Sequence, residues 1–332
     1  MIDDQGSLTV VWNVECDPEI FHFLVSLGED EDGKQDVIRS IADCDGESTW
    51  IVSLKADARD EYEPRDVQRI LHEPDQDIAA LSSIVENGDV YHHDGAVILP
   101  SGRRLDDGSV IRVLFAYTTP TRDRWGQSTI RSMIVGALAS ANQALSNSGV
   151  GFKIAAARIM HVNWNYDNEG HVAALNALSQ GEMPGIAAAR KLYKADLVQV
   201  VIDNAQYCGF GSLMQSPSSS FREYAYSVVY GGCFAQFSHI HEIGHNMGAR
   251  HDVGNTDASA TWPYAMGYRY CSGEVDPPYF RSVMSYSCTG AMRVPYFSSP
   301  TVYYQGRQTG MQGADNARVL RETKYIVANF YN

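Results

Sequence analysis

His241-Glu242-Ile243-Gly244-His245-Asn246-Met247-Gly248-Ala249-Arg250-His251-Asp252 places three histidines, a glutamate and a glycine in one short stretch. The pattern is H-E-x-x-H-x-x-G-x-x-H followed by Asp. A helix turns about 100° and rises ~1.5 Å per residue, so His241 and His245 share one face, a turn apart. Glu242 sits beside them, placed to contact a water on a metal held there. His251 would lie roughly 15 Å along the axis from His241 if the helix simply continued. The helix must therefore stop and the chain must turn back. Gly248 is where this is expected, because glycine takes left-handed dihedrals without steric cost. Three neutral imidazoles on one Zn²⁺ leave a fourth position open for water, which marks a catalytic site rather than a closed structural one. His239 lies two residues from His241 on the helix and points away from that face.

Met284 follows His251 by 33 residues, within Ser282-Val283-Met284-Ser285-Tyr286. This segment resembles the Met-turn of the metzincin metallopeptidases. The resemblance implies that Met284 forms an apolar floor beneath the zinc ligands. It also implies that Tyr286, two residues on, binds zinc at rest and swings to the reaction oxyanion.

The chain has 332 residues and a net charge of −14. Residues 1–108 carry 26 Asp and Glu against 8 Lys and Arg, a net of −18, whereas residues 109–332 carry 14 against 18, a net of +4. Such asymmetry points to two units with different tasks, an acidic one at 1–108 and a mildly basic one at 109–332. No stretch is long and apolar enough to span a bilayer, so no membrane partner is expected. No basic, aromatic-interleaved patch appears, so nucleic acid is not expected either.

Cys16, Cys44, Cys208, Cys233, Cys271 and Cys288 make an even count. Sequential pairing (16–44, 208–233, 271–288) keeps each bridge inside one unit and is the expectation. Disulfides place the protein outside a reducing cytosol. The first residues, Met1-Ile2-Asp3-Asp4-Gln5-Gly6, are polar and acidic and do not read as a signal peptide. Secretion is thus expected through a leader trimmed from this sequence or by another route, as a monomer.

Residues 8–14 and 50–54 read as strands, and 64–86 as partly helical, interrupted by Pro74. Residues 100–108, with Pro, Gly and charge but no apolar periodicity, read as a linker in which Arg103-Arg104 offers a cleavage site. Beyond it, 110–117, 152–162, 197–202 and 224–230 read as strands, with 197–202 apolar enough to be buried on both faces. Residues 126–147, 185–194, 234–247 and 314–330 read as helices, the third bearing the histidines. The glycine-bearing segment 209–214 reads as an exposed edge strand. Alternating strands and helices before the motif, and irregular chain after it, predict two lobes with a cleft between them.

Residues 109–332 resemble the bacterial reprolysin-type metzincins, in particular the peptidyl-Asp metalloendopeptidase group. The carrying residues are Val113-Leu114-Phe115-Ala116-Tyr117-Thr118, Tyr193-Lys194-Ala195-Asp196-Leu197-Val198, Tyr207-Cys208-Gly209, the zinc motif and Ser282–Cys288. Tyr296-Phe297-Ser298-Ser299-Pro300 and Asp315-Asn316-Ala317-Arg318 complete them. The implied fold is an α/β (α+β) metzincin catalytic domain, two-lobed, with a mixed twisted sheet, zinc helix and Met-turn, preceded by a small β-rich N-terminal domain. The implied activity is zinc-dependent hydrolysis of peptide bonds in extended protein substrates, with one catalytic Zn²⁺. Glu242 is the proton carrier and Tyr286 the oxyanion donor. Asp252 has no ligand role and is expected to hold the turn after His251. Cleavage before Asp is implied, which demands a cation near the Met-turn; Arg293 is the first candidate and Arg281 the second. Residues 1–108 match no prodomain. They are expected to form a latency-conferring prodomain; a thiolate cap on zinc from Cys16 or Cys44 would strand its partner, so that pair is read as a disulfide, and an acidic side chain such as Asp45 or Asp94 is the alternative cap. The alternatives are a substrate-binding accessory domain, or a non-catalytic binding protein on a metal-bearing scaffold; an intact Glu242 argues against the last.

Overall fold

The computed structural model describes residues 106–256, 259, 261–273 and 276–331, and the backbone of 22–29, 35–42, 49–55, 91–93, 96–98 and 104–105. In the acidic part, β1 (His22–Glu29), β2 (Gln35–Ala42) and β3 (Thr49–Lys55) form an antiparallel meander. The strand expected at 50–54 falls within β3. The strand at 8–14, the helix at 64–86 and the pair Cys16–Cys44 lie outside the described residues.

A second meander joins β4 (Tyr91–His93), β5 (Ala96–Ile98) and β6 (Arg104–Asp106). The segment read as a linker therefore continues as a paired strand. Asp106 is tied to the C-terminal segment: its N–H donates to Asn329 Oδ1 at 3.0 Å, and Asn329 Nδ2 donates to its carbonyl at 3.1 Å. Linker composition did not reveal these partners because they are more than two hundred residues away.

The main sheet has the order β10-β11-β9-β7-β8. Its strands are β7 (Val110–Tyr117), β8 (Lys153–His161), β9 (Leu197–Ile202), β10 (Gly209–Gly211) and β11 (Tyr226–Tyr230). All neighbours pair in parallel except β10, which runs antiparallel to β11 at one edge. Side chains alternate between the two faces of a strand. Accordingly Ile111, Val113, Phe115, Leu197 and Val201 enter one core, and Leu114, Ala116, Val198, Val200 and Ile202 the other. Burial on both faces is why 197–202 reads as an unbroken apolar run.

Helices cover both faces. The long α2 (Gln127–Asn147) follows the short α1 (Thr119–Trp125) and buries Ile130, Met133, Ile134, Ala141 and Leu145 in the first core. In the second core, α3 (Gly170–Ser179) and α4 (Ile186–Leu192) bury Leu175, Leu178 and Ile186. Neither α1 nor α3 was expected from apolar spacing. Each is short, and α1 is nucleated by the Thr118 cap and a first-turn proline rather than by an apolar stripe.

The helix expected at 234–247 is divided. A 3₁₀ segment, Gly231–Gln236, precedes α5 (Ser238–Asn246), and Phe237 between them is left-handed at φ 61°. Apolar spacing runs smoothly through Phe234-Ala235-Gln236-Phe237 and hides the break. The break leaves the Gln236 carbonyl to accept from Arg293 Nη1 at 2.8 Å. After α5 the chain is mostly irregular until α6 (Asn316–Val327).

His171 is 1% exposed in α3, and among the described residues neither ring nitrogen has a hydrogen-bond partner. Its ring packs edge-on against Tyr207, just ahead of β10, with centroids 5.8 Å apart. Burial disfavours the imidazolium and lowers the pKa from 6.5 to about 4. Stability from a neutral His171 is thus complete above pH 6.5 and is lost as pH falls through about 4. In chelator-treated protein, urea unfolding between those limits should lose on the order of 3 kcal/mol more in the wild type than in His171→Leu. Parallel pH profiles for the two proteins would contradict this.

Candidate metal centre

The site is assembled where α5 ends. Gly244 O accepts from Met247 N and Ala249 N, at 3.0 and 2.9 Å, and Gly248 adopts φ +89°. This is the left-handed helix stop expected at Gly248. A side chain there would also meet the Trp262 ring, 2.7 Å from Cζ3. The chain then returns as β12 (Arg250–Asp252), which pairs with β13 (Met266–Gly267).

The return brings His251 to the helical histidines. Its Nε2 lies 2.9 Å from Nε2 of His241 and 3.0 Å from Nε2 of His245, and all three residues are buried. Two backbone carbonyls set the ring tautomers. His241 Nδ1 donates to Val283 O at 2.9 Å, and His245 Nδ1 donates to Ala249 O at 2.8 Å. Since a carbonyl only accepts, both Nδ1 atoms carry the proton and both Nε2 atoms present lone pairs. Lone pairs focused on one point are the donor set of a cation; a tetrahedral zinc at ~2.0–2.1 Å from each nitrogen sets such atoms about 3.3 Å apart. The residues present fit zinc.

The Met-turn lies below. Met284 is fully buried, and its Sδ lies where a side chain on Gly244 would otherwise sit. Val283 O, which orients His241, belongs to the same turn. The Tyr286 ring stands beside His251, with centroids 4.4 Å apart. Glu242 is 1% exposed, with its side chain against β10.

Asp252 does more than hold its own turn. It accepts from Asn255 Nδ2 at 2.9 Å, but its other carboxylate oxygen accepts from Tyr286 N at 2.8 Å. An ion pair with Arg269 at 2.8 Å completes its partners. The residue after the third histidine thus fastens the strand carrying it to the Met-turn.

Arg293 is 6% exposed, and its Nη2 donates to Ser285 O at 3.1 Å. Arg281 Nη1 reaches the same carbonyl at 2.8 Å. Two guanidinium groups therefore meet one carbonyl, next to Tyr286. His239 is directed elsewhere, its Nε2 3.2 Å from Ser140 Oγ. Cysteine pairs 208–233 and 271–288 form disulfides as expected.

Several contributors escaped sequence reasoning. Ala249 and Val283 act through backbone carbonyls, which no side chain announces. Gln199, the polar member of the apolar run in β9, faces α5 and donates to His239 O at 2.9 Å. Asn246 donates to Ser212 O and Tyr226 O, at 2.8 and 2.9 Å, and ties α5 to the sheet edge. A buried Asn one position after a histidine ligand was the available signal.

Three converging imidazoles, a glycine-turned return and a buried methionine turn, beside a mostly parallel sheet with one antiparallel edge, define a metzincin-like metallopeptidase domain. A reprolysin-type model, described as metallo-peptidase family M12, matches residues 107–298, and the chain belongs to that family. Membership implies zinc, in keeping with the donor set. Two similar curated proteins are named Peptidyl-Asp metalloendopeptidase. The one from Xanthomonas campestris pv. campestris is 33% identical over 229 residues, which is 67% of this chain and 52% of that protein. The one from Stenotrophomonas maltophilia is 33% identical over 67% of this chain and 53% of its own length. The chain spans about half the length of these relatives. A solved structure described as "Structure of a chaperone-substrate complex" shares the fold, with TM-score 0.53 and 18% identity over 70% of this chain and 37% of that one.

Asp252→Ala removes a carboxylate whose side chain is 3% exposed and leaves the Tyr286 N–H without its acceptor. Unfolding in urea should show a loss of about 2–4 kcal/mol, with Asp252→Asn less affected. A loss below ~1 kcal/mol for the alanine variant would mean that other contacts hold the Met-turn.

Proposed function

We propose that residues 109–332 act as a zinc-dependent endopeptidase that cuts extended protein substrates and prefers Asp at P1′. In the same proposal, residues 1–108 form a separate acidic unit that keeps the enzyme latent until the chain is cut near Arg103-Arg104. The observation that carries the catalytic reading is the focus of His241, His245 and His251 on one point, with the Glu242 carboxylate beside them. When bound there, zinc supplies a Lewis acid and lowers the pKa of a water at its open position to about 7. Glu242 takes the proton from the attacking water and returns it to the leaving amine. Tyr286, braced at its N–H by Asp252 and at its ring by His251, donates its hydroxyl to the developing oxyanion.

Substrate binding follows from the sheet. Among the described residues β10 ends the sheet order beside the metal centre, and an extended peptide laid along it would bind through backbone hydrogen bonds. The names of the curated relatives support Asp preference. So does the convergence of Arg281 and Arg293 on Ser285 O, which concentrates positive charge beside the Met-turn. The latency reading rests on the opposed net charges of the two parts, and the start of the family match at 107 supports the boundary. Two disulfides favour an extracellular setting. No helix among the described residues is long and apolar enough to cross a membrane.

The test is a mass-spectrometric digest of a proteome-derived peptide library, with the chain before and after limited cleavage at 103–108. New termini beginning with Asp are expected from the cleaved wild type. Glu242→Ala should lower the rate by at least about 10²–10⁴-fold. Cuts of equal rate in that variant would refute the proton-carrier role. Full activity of the uncut chain would refute latency.

A further inference from the structure

Strand β10 reads Gly209-Phe210-Gly211, so its two glycines face one side and Phe210 the other. Phe210, 2% exposed, enters the second core. The glycines face Glu242. A Cβ on Gly209 would lie 2.6 Å from Glu242 Cγ and 2.8 Å from Cδ, with Oε1 nearer still. A Cβ on Gly211 would lie 2.9 Å from Glu242 Oε2 and 3.0 Å from the Glu242 carbonyl. Neither glycine has a positive φ, so backbone conformation does not require glycine at either position. What requires it is the room taken by the Glu242 side chain, joined at 211 by the Glu242 backbone carbonyl.

The gap between β10 and α5 is held from both ends. On one side, Tyr230 N donates to Cys208 O at 3.0 Å, and Cys208 is bridged to Cys233 in the segment leading to α5. On the other, Asn246 Nδ2 holds Ser212 O, and Met214 N donates to His245 O at 3.0 Å. Glu242 lies between these ties. An added methyl group therefore cannot be met by moving the strand without breaking them, and the glutamate side chain must give way instead.

We infer that Gly209 and Gly211 are positioning residues, forming a two-sided slot in the sheet edge that fixes where the Glu242 carboxylate stands above the metal centre. The inference rests on the reading of Glu242 as proton carrier. The strand proposed as the substrate platform is then also the wall that aims the base, so substrate backbone and carboxylate are placed by one element. A carboxylate displaced by about 1 Å is enough to cost on the order of 10²-fold in rate.

The experiment is a double-mutant cycle on the full chain: wild type, Gly209→Ala, Glu242→Ala and the double variant. Thermal unfolding is measured in chelator, so that the readout is independent of activity. Alanine at 209 should lower Tm when Glu242 is present, and that loss should largely vanish when residue 242 is alanine. With zinc restored, Gly209→Ala should bind the same amount of metal as wild type. After limited cleavage at 103–108 it should lose about 100-fold in kcat relative to the equally cleaved wild type, with KM little changed. If Gly209→Ala fails to fold, recovery of folding in the double variant supports the slot and failure of both overturns it. An equal Tm loss in both backgrounds, or wild-type kcat in Gly209→Ala, also overturns it. Absence of peptidase activity in the cleaved wild type would sink the functional reading alone, because the thermal cycle still decides whether the glycines make room for Glu242.

Discussion

The site depends on one reversal of the chain. Nine residues of helix place two histidines a turn apart, but the third donor exists only because Gly248 stops the helix at φ +89°. That turn swings His251 back until three imidazole nitrogens meet. The reversal is itself secured: Trp262 fills the space that a side chain at 248 would need, and β12 is paired with β13. The position of the third donor is therefore a packed feature rather than the end of a loose loop.

Around this reversal, the chain uses its own backbone to orient the histidines. Val283 O and Ala249 O fix two tautomers, so Nε2 of His241 and Nε2 of His245 present lone pairs rather than N–H groups. One of these carbonyls lies in the methionine turn, which links the apolar floor to the donors. Asp252 closes the circuit by taking the Tyr286 N–H, so the ring beside His251 is held by the residue that follows His251. Third donor, floor and tyrosine are thus mechanically one unit. Arg293 extends it to the start of α5 by bonding both Ser285 O and Gln236 O.

The sheet edge beside α5 is built on a different principle. There the sheet ends in a three-residue antiparallel strand, too short to add much stability of its own but placed beside the catalytic helix. Its polar ties run to the helix as well as to the neighbouring strand, through Asn246 and Met214. A backbone edge that meets α5 this closely tolerates only glycine opposite Glu242.

Legibility followed the range of the interactions. The histidine spacing, the stop at Gly248 and the apolar run of β9 are local patterns imposed by helix pitch and strand alternation, and they were readable as such. The break at Phe237 was not, because apolar periodicity continues through it and the compensation comes from Arg293, more than fifty residues away. Helices α1 and α3 were missed because they are short and owe their formation to a cap and to sheet contacts. The segment at 104–106 looked like linker because it has no apolar periodicity and its tie to Asn329 spans more than two hundred residues. What the amino-acid order determined by itself was the donor set, its chemistry and the need for a turn, since these depend on residue type and spacing over a few residues. What only the tertiary structure decided was the orientation: which carbonyls set the tautomers, which residue braces Tyr286, and which two glycines stand opposite Glu242. Apart from the local His245–Ala249 contact, these join residues tens of positions apart, and their partners are chosen by how the elements pack.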